Sequence, residues 1–261
     1  MSLVAVIGEC ASTTTVGLAA AWPKGERVVV AEFDPAGGCL SAWLGVLRSP
    51  SLSELASSAG AGSWPIVESM FQHSAAGVDV LVSPTRAVEA AAAIAAASLT
   101  VLPVLAALDE PVVIADGGRQ RAALAPVSTS AGVVAVMHRQ HAGSAGAAVI
   151  GLERLAAICD LLRVRSIPFV VGLIGEQPYR SDEVAAFVGA DAVVPVAVDA
   201  WAAAVLAGRA GSAVRFRRSA LMQTLGELAN VLSARLRQTR QELAWDPASF
   251  VGAPGNGADH G

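Results

Sequence analysis

The chain has 261 residues, 22 acidic and 18 basic side chains, and a formal net charge of −4. Apolar residues make up 54%, aromatic residues 5% and charged residues 15%, so the length can bury a core while the composition excludes disorder over most of the chain, a collagen repeat and a disulfide scaffold. A pI near 5.6 excludes a chain-wide nucleic-acid footprint and leaves room only for a local basic patch.

Apolar runs of strand length recur from the start. Leu3–Ile7, Arg27–Phe33, Val78–Val82, Pro111–Ala115, Gly132–Met137, Pro168–Ile174 and Ala192–Val196 read as strands. Several are continuous Val/Ile/Leu runs, as expected of parallel strands covered on both faces. Helical patterns lie between most of them. Ser144–Arg163 places Leu152, Leu155, Cys159 and Leu162 on one face, and a final helix from Arg217 to about Glu242 carries a stripe of Leu221, Leu225, Leu228 and Leu232. The uncharged stretch Ala90–Leu108 is near the ~20 residues of a membrane span. Its alanine content, Pro103 and lack of aromatic or basic flanks read instead as a buried helix of a soluble protein. Trp245–Gly261 is rich in Gly, Pro, Ala and Asp and reads as a flexible tail after one domain over residues 1–243. The strand–helix alternation predicts a three-layer α/β/α, doubly wound, mostly parallel sheet. Ligands of such sheets bind beyond the carboxyl ends of the strands.

The first such loop reads Gly8-Glu9-Cys10-Ala11-Ser12-Thr13-Thr14-Thr15 before an Ala-rich helix. A strand, a tight loop, hydroxyl side chains and a helix form the outline of a phosphate-binding loop, which aims backbone N–H groups at an anion. The second strand ends in Glu32-Phe33-Asp34-Pro35-Ala36-Gly37-Gly38, with Leu44-Gly45 following. A later strand ends in Ile114-Ala115-Asp116-Gly117-Gly118, and Val188–Val196 leads to Val198-Asp199-Ala200-Trp201.

In this order and spacing the motifs resemble the ParA/MinD-like deviant Walker A ATPases, of the SIMIBI class of P-loop NTPases. The resemblance implies a nucleotide site formed by Gly8, Ser12, Thr13, Asp34 and Asp116. Asp34 would orient the attacking water if the site is active, and Asp116 would support Mg²⁺. Residues 188–201 would close over the adenine. The chain departs from the family at its lysines. The family's two loop lysines correspond to Val6 or Ile7 and to Ala11 or Ser12, and the single lysine of the chain, Lys24, lies past the helix. Glu9 adds negative charge where a triphosphate would sit, and Gly175 stands at the place of the family's base-reading asparagine. The chain thus resembles a degenerate member, similar to the CpaE/TadZ-like proteins that localise pilus-secretion machinery or to septum-site-determining ones. That resemblance implies a cytoplasmic pseudo-ATPase acting through protein partners as a homodimer. No cofactor is expected, with ATP and Mg²⁺ only if the site is retained.

Other readings stand beside these. Asp34 and Asp116 could instead cap loops at strand ends, where Asp suits turns. Ser12–Thr15 reads as a helix N-cap. Cys10 reads as a small packing residue. His138 and His141 read as a solvated loop, since no third metal ligand adjoins them in sequence. The odd cysteines Cys10, Cys39 and Cys159 read as reduced thiols. Arg209, Arg215, Arg217 and Arg218, repeated by Arg235, Arg237 and Arg240, form either a solvated face or a surface for nucleic acid. The Gly/Pro-rich end offers no amphipathic membrane-targeting helix. A weak ATPase and a DNA-associated regulator therefore stand as alternatives.

Overall fold

The computed structural model describes residues 1–119, 125–141 and 143–244. In chain order the elements are β1 (Leu3–Gly8), α1 (Ala11–Ala21), β2 (Val28–Glu32), α2 (Leu40–Leu44), α3 (Leu52–Ser57), α4 (Trp64–Ser69), β3 (Gln72–His73), β4 (Asp79–Leu81), α5 (Ala87–Ala107) and β5 (Val112–Asp116). There follow α6 (Pro126–Thr129), β6 (Val133–Arg139), α7 (Ala145–Val164), β7 (Phe169–Ile174), α8 (Ser181–Val188), β8 (Val193–Val196), α9 (Ala200–Leu206), α10 (Ala213–Arg217) and α11 (Ala220–Ala244). The expected tail from Trp245 lies outside the described residues.

The strands form one eight-stranded sheet in the order β3-β4-β2-β5-β1-β6-β7-β8. All neighbours are parallel except β3 and β4. Each apolar run expected as a strand is one. The exception to the expectation is β3, an edge pair of residues, Gln72 half-buried and His73 exposed, too short for any periodicity to mark it.

Strand alternation splits the core in two. Leu3, Ala5 and Ile7 point to a layer built with Leu55 of α3, Leu102 of α5 and Leu155 of α7. Val4 and Val6 point to the opposite layer, with Val16 of α1, Leu206 of α9 and Leu225 of α11. Both faces of the central strands are therefore dry, which is why those runs are continuously apolar. Helix α5 buries Ala90, Ala93, Ile94, Ala97, Val101, Leu102 and Leu105, while Leu99 is 82% exposed. Among the described residues it is the one helix long and apolar enough to cross a membrane, yet one side of it covers the sheet. The final helical stretch is two helices. Arg218 ends α10, and the Ser219 hydroxyl accepts the Met222 N–H to open α11.

The topology brings the ends of β1, β2 and β5 together at one edge. Val6 and Glu32 both lie in register with Asp116. The candidate loop after β1 thus sits mid-sheet, beside the carboxyl ends of β5 and β6.

Candidate functional site

The loop between β1 and α1 is pinned from both sides. Gly8 donates its N–H to the Gly118 carbonyl at 3.0 Å, and Glu9 donates to the Met137 carbonyl at 3.0 Å. Gly8 has φ +105, and a Cβ there would stand 2.2 Å from the Met137 carbonyl oxygen, so only glycine fits. Cys10, the helix N-cap, adopts the left-handed conformation at φ 59 and is exposed, not a packing residue. No side chain caps α1. The Ser/Thr cluster lies inside the helix, contrary to its reading as the cap; Thr14 and Thr15 are buried and Ser12 and Thr13 are half-buried. The first turn of α1 thus keeps a dipole end without a capping oxygen.

Glu9 fills the mouth of this loop. Its carboxylate accepts the backbone N–H of Arg139 at 2.8 Å. His141 Nε2 stands 3.8 Å from it, Arg119 3.9 Å and His138 Nδ1 4.0 Å. His138 is nearly buried at the end of β6, not solvated, and that burial holds its pKa below the ordinary value. Among the described residues no group of three or more His, Cys, Asp or Glu side chains is placed to hold a metal ion.

The two expected carboxylates, Asp34 and Asp116, gather on the other side of the loop with a third, Glu32, in register with Asp116. Glu32 is buried and works as a structural acceptor. It takes the N–H groups of Cys39 at 2.5 Å, Leu40 at 2.9 Å and Ser83 at 2.9 Å. Burial still pushes its pKa up, against those bonds. Asp34 accepts the Ala36 N–H at 2.8 Å, closing the turn after β2. A Cβ at Gly118 would stand 2.2 Å from the Asp34 carboxylate, so the turn packs directly on the loop after β5.

Asp116 accepts the Gly118 N–H through Oδ1 at 3.0 Å. Its Oδ2 and the Thr15 hydroxyl are buried with no hydrogen-bond partner among the described residues. Burial pushes the Asp116 pKa up to about 7; the nearby Ser12 hydroxyl and the Gly118 N–H pull it down, and Asp34 and Glu32 add to the rise. Burial likewise raises Cys39 to about 11 and Cys159 to about 12, so neither thiol ionises near neutrality.

The structure thus brings Gly8, Ser12, Asp34 and Asp116 to one edge, with Thr13 on the same helical turn. Lys24 lies exposed in the turn before β2, away from this edge. The sequence reading missed Gln140. Its amide donates to the carbonyls of Gly175 and Tyr179 and accepts the Tyr179 N–H, tying the loops after β6 and β7 together. No sequence periodicity could flag that role, since a lone Gln past a strand looks like any loop residue.

The arginines divide into two groups. Arg235 pairs with Asp191 at 2.7 Å, and Arg240 donates to the Met1 carbonyl and the Ser2 hydroxyl, so these are internal ties. Arg209, Arg215, Arg217 and Arg218 are exposed around α10, and no carboxylate stands within 4.0 Å of them among the described residues.

No protein-family profile and no curated protein matches the chain. Solved structures do. A ParA family ATPase from Chlorobium tepidum superposes with a TM-score of 0.68 at 18% identity, over 87% of this chain and 97% of that one. The septum site-determining protein MinD of Pyrococcus horikoshii, solved with Mg-ADP, gives 0.68 at 15% identity, over 88% and 95%. MinD in the MinC:MinD cell division complex of Aquifex aeolicus gives 0.67 at 11% identity, over 90% and 96%. With the sheet order and the placement of the first loop, these likenesses show that the chain has the ParA/MinD-like P-loop NTPase fold.

Proposed function

We propose that this chain is a pseudo-ATPase on the ParA/MinD fold, a positioning or interaction protein whose partners are other proteins and which does not turn over ATP. The observation that carries this reading is the Glu9 carboxylate, held at the loop mouth by the Arg139 N–H. The residues present do not fit a magnesium triphosphate. Among the described residues, Glu9, Asp34 and Asp116 lie at the loop and Glu32 pairs in register with Asp116, the single lysine Lys24 lies away from this edge, and the Arg119 guanidinium faces Glu9. Stabilising the charge of phosphoryl transfer needs preorganised cations, and like charge in a partly buried site opposes it by several kcal/mol. Capture of MinD in complex with MinC supports a protein partner for a chain of this fold. The same reading has the chain act in the cytoplasm, as a homodimer that forms without ATP, because a ligand without differential affinity cannot shift an assembly equilibrium.

A weak ATPase is the second reading, favoured by the uncapped first turn of α1 and by the unpartnered Asp116 Oδ2 and Thr15 hydroxyl. One experiment separates the two. Phosphate release is measured with ATP and Mg²⁺, beside a thermal-shift titration. The pseudo-ATPase reading expects no release and no shift. A site filled at 100 times its Kd would stabilise the fold by about 2.7 kcal/mol. Turnover that disappears in Asp34→Ala would establish the ATPase and remove the proposal.

A further inference from the structure

The loop after β8, which the family resemblance would place over an adenine, carries a second feature. Asp199 caps α9 by accepting the Ala202 N–H at 3.0 Å. Trp201 then stands in the first turn of α9, and the short α10 returns over it. The Arg215 guanidinium lies on the indole face, 4.2 Å from the ring centroid. Trp201, Ser212, Val214, Arg215, Arg218 and the Asp199 cap line an open pocket of about 510 Å³.

The pocket is a built feature of the fold. A Cβ at Gly211 would stand 3.2 Å from the Trp201 ring, so the loop clasps the indole. Gly208, at φ +92, presses on the Trp43 carbonyl, where a Cβ would come within 2.5 Å. This anchors the loop on α2. Stacking fixes Arg215 while leaving its hydrogen-bonding edge free. Val214 is 63% exposed beside it.

Charge supplies the complement. Arg27, Arg163, Arg180 and Arg235 each have a carboxylate within 4.0 Å, whereas Arg209, Arg215, Arg217 and Arg218 have none among the described residues. The acid nearest the pocket, Asp199, is engaged as a helix cap. Arginine forks match carboxylates bidentately, and Trp and Arg are among the residues enriched at interface hot spots.

We propose that this pocket is the docking site for an acidic peptide segment of a partner protein. One or two carboxylates engage Arg215 and Arg218, and a neighbouring apolar side chain lies against Trp201 and Val214. Nucleic acid fits the pocket less well. Arg215 covers an indole face on which a base would stack. The inference goes beyond the pseudo-ATPase reading and stands whether or not that reading holds.

The test is selection of random peptides displayed on phage against the full chain, without nucleotide. Enriched sequences are expected to place Asp or Glu next to Leu, Phe or Trp. A synthetic peptide of the selected sequence, followed by fluorescence anisotropy, should lose about tenfold or more in affinity on Arg215→Ala/Arg218→Ala. The Arg215→Lys/Arg218→Lys pair keeps the charge and loses the fork, and is expected to fall between. Trp201→Phe should bind better than Trp201→Ala. Melting curves of each variant separate lost binding from lost folding. Selected sequences without acidic residues overturn the proposal, as does a peptide bound equally by the double alanine variant. So does duplex DNA that binds through the same arginines while acidic peptides are not enriched. The peptide assays are run without nucleotide and the nucleotide titration separately, so failure of this proposal and failure of the pseudo-ATPase reading are read in different experiments.

Discussion

Glu32 and Asp116 pair across β2 and β5 in register, burial pushes both pKa values up, and the backbone serves the two carboxylates differently. Glu32 receives three backbone N–H groups, so its carboxylate is solvated by the fold itself. Glu32→Ala strands those donors in a dry site. It is expected to cost about 3 kcal/mol or more, read as a fall in the urea midpoint. Asp116 has one N–H and an unpartnered oxygen. Its folded-state pKa of about 7 stands above the ordinary 3.8. The native state therefore holds the proton more tightly between those values, and stability falls as pH rises from about 4 to about 7. Asp116→Asn keeps the bond to Gly118 and cannot ionise. It should match the parent near pH 4 and exceed it at pH 8 by on the order of a few kcal/mol. Equal melting of the two proteins at pH 8 would contradict that assignment. The sequence marked Asp34 and Asp116 through the motifs at the ends of two strands that resemble the ParA/MinD family. It could not show that Glu32 serves three N–H groups, since Cys39, Leu40 and Ser83 reach it only in the folded sheet.

Helix α5 shows how element-scale reading works and where it stops. Its length and burial follow from an uncharged Ala/Leu/Val run, and its sidedness follows from packing on β2 and α3. Leu102→Ala, in the core, is expected to cost 2–5 kcal/mol by the usual range of about that size. Leu99→Lys, on the open side, is expected to leave stability within about 0.5 kcal/mol and the chain soluble. Chemical denaturation of the two variants measures the difference. The strands were legible because parallel strands buried on both faces leave continuous apolar runs. β3 was not, because a two-residue edge pair has no pattern to leave. The break between α10 and α11 was masked by arginines that suit a helix surface as well as a turn. At the loop, Gly8→Ala would drive a methyl into the Met137 carbonyl, and a loss of about 2 kcal/mol or more is expected.

At the scale of the molecule, the sheet order and the layer each helix joins are set by contacts that no local pattern encodes. The motifs nonetheless fixed the fold in advance, because their order along the chain fits one topology. The proposed dimer is a whole-molecule property, tested by sedimentation across concentrations with and without ATP. A dimer in both conditions is expected, a strict monomer in both removes the claim, and a dimer only with ATP revives the nucleotide switch. The position of β1 has a consequence of its own. Its neighbours are β5 and β6, and the face above it is closed by α11, whose Arg240 grips the Met1 carbonyl across 239 positions. During synthesis at the ribosome, the strand that becomes the centre of the sheet emerges well before anything that can flank it. The nascent chain must carry Leu3–Ile7 unpaired until β5 appears past residue 110 and open on its other edge until β6 appears past 130, and α1 lacks α9 and α11 until residues past 200 and 220 do. Such a chain has strong need of a chaperone that shields apolar segments cotranslationally, and joining residues near 1 to residues near 244 in a circular permutant cut at an exposed loop would change the order of folding without changing the fold.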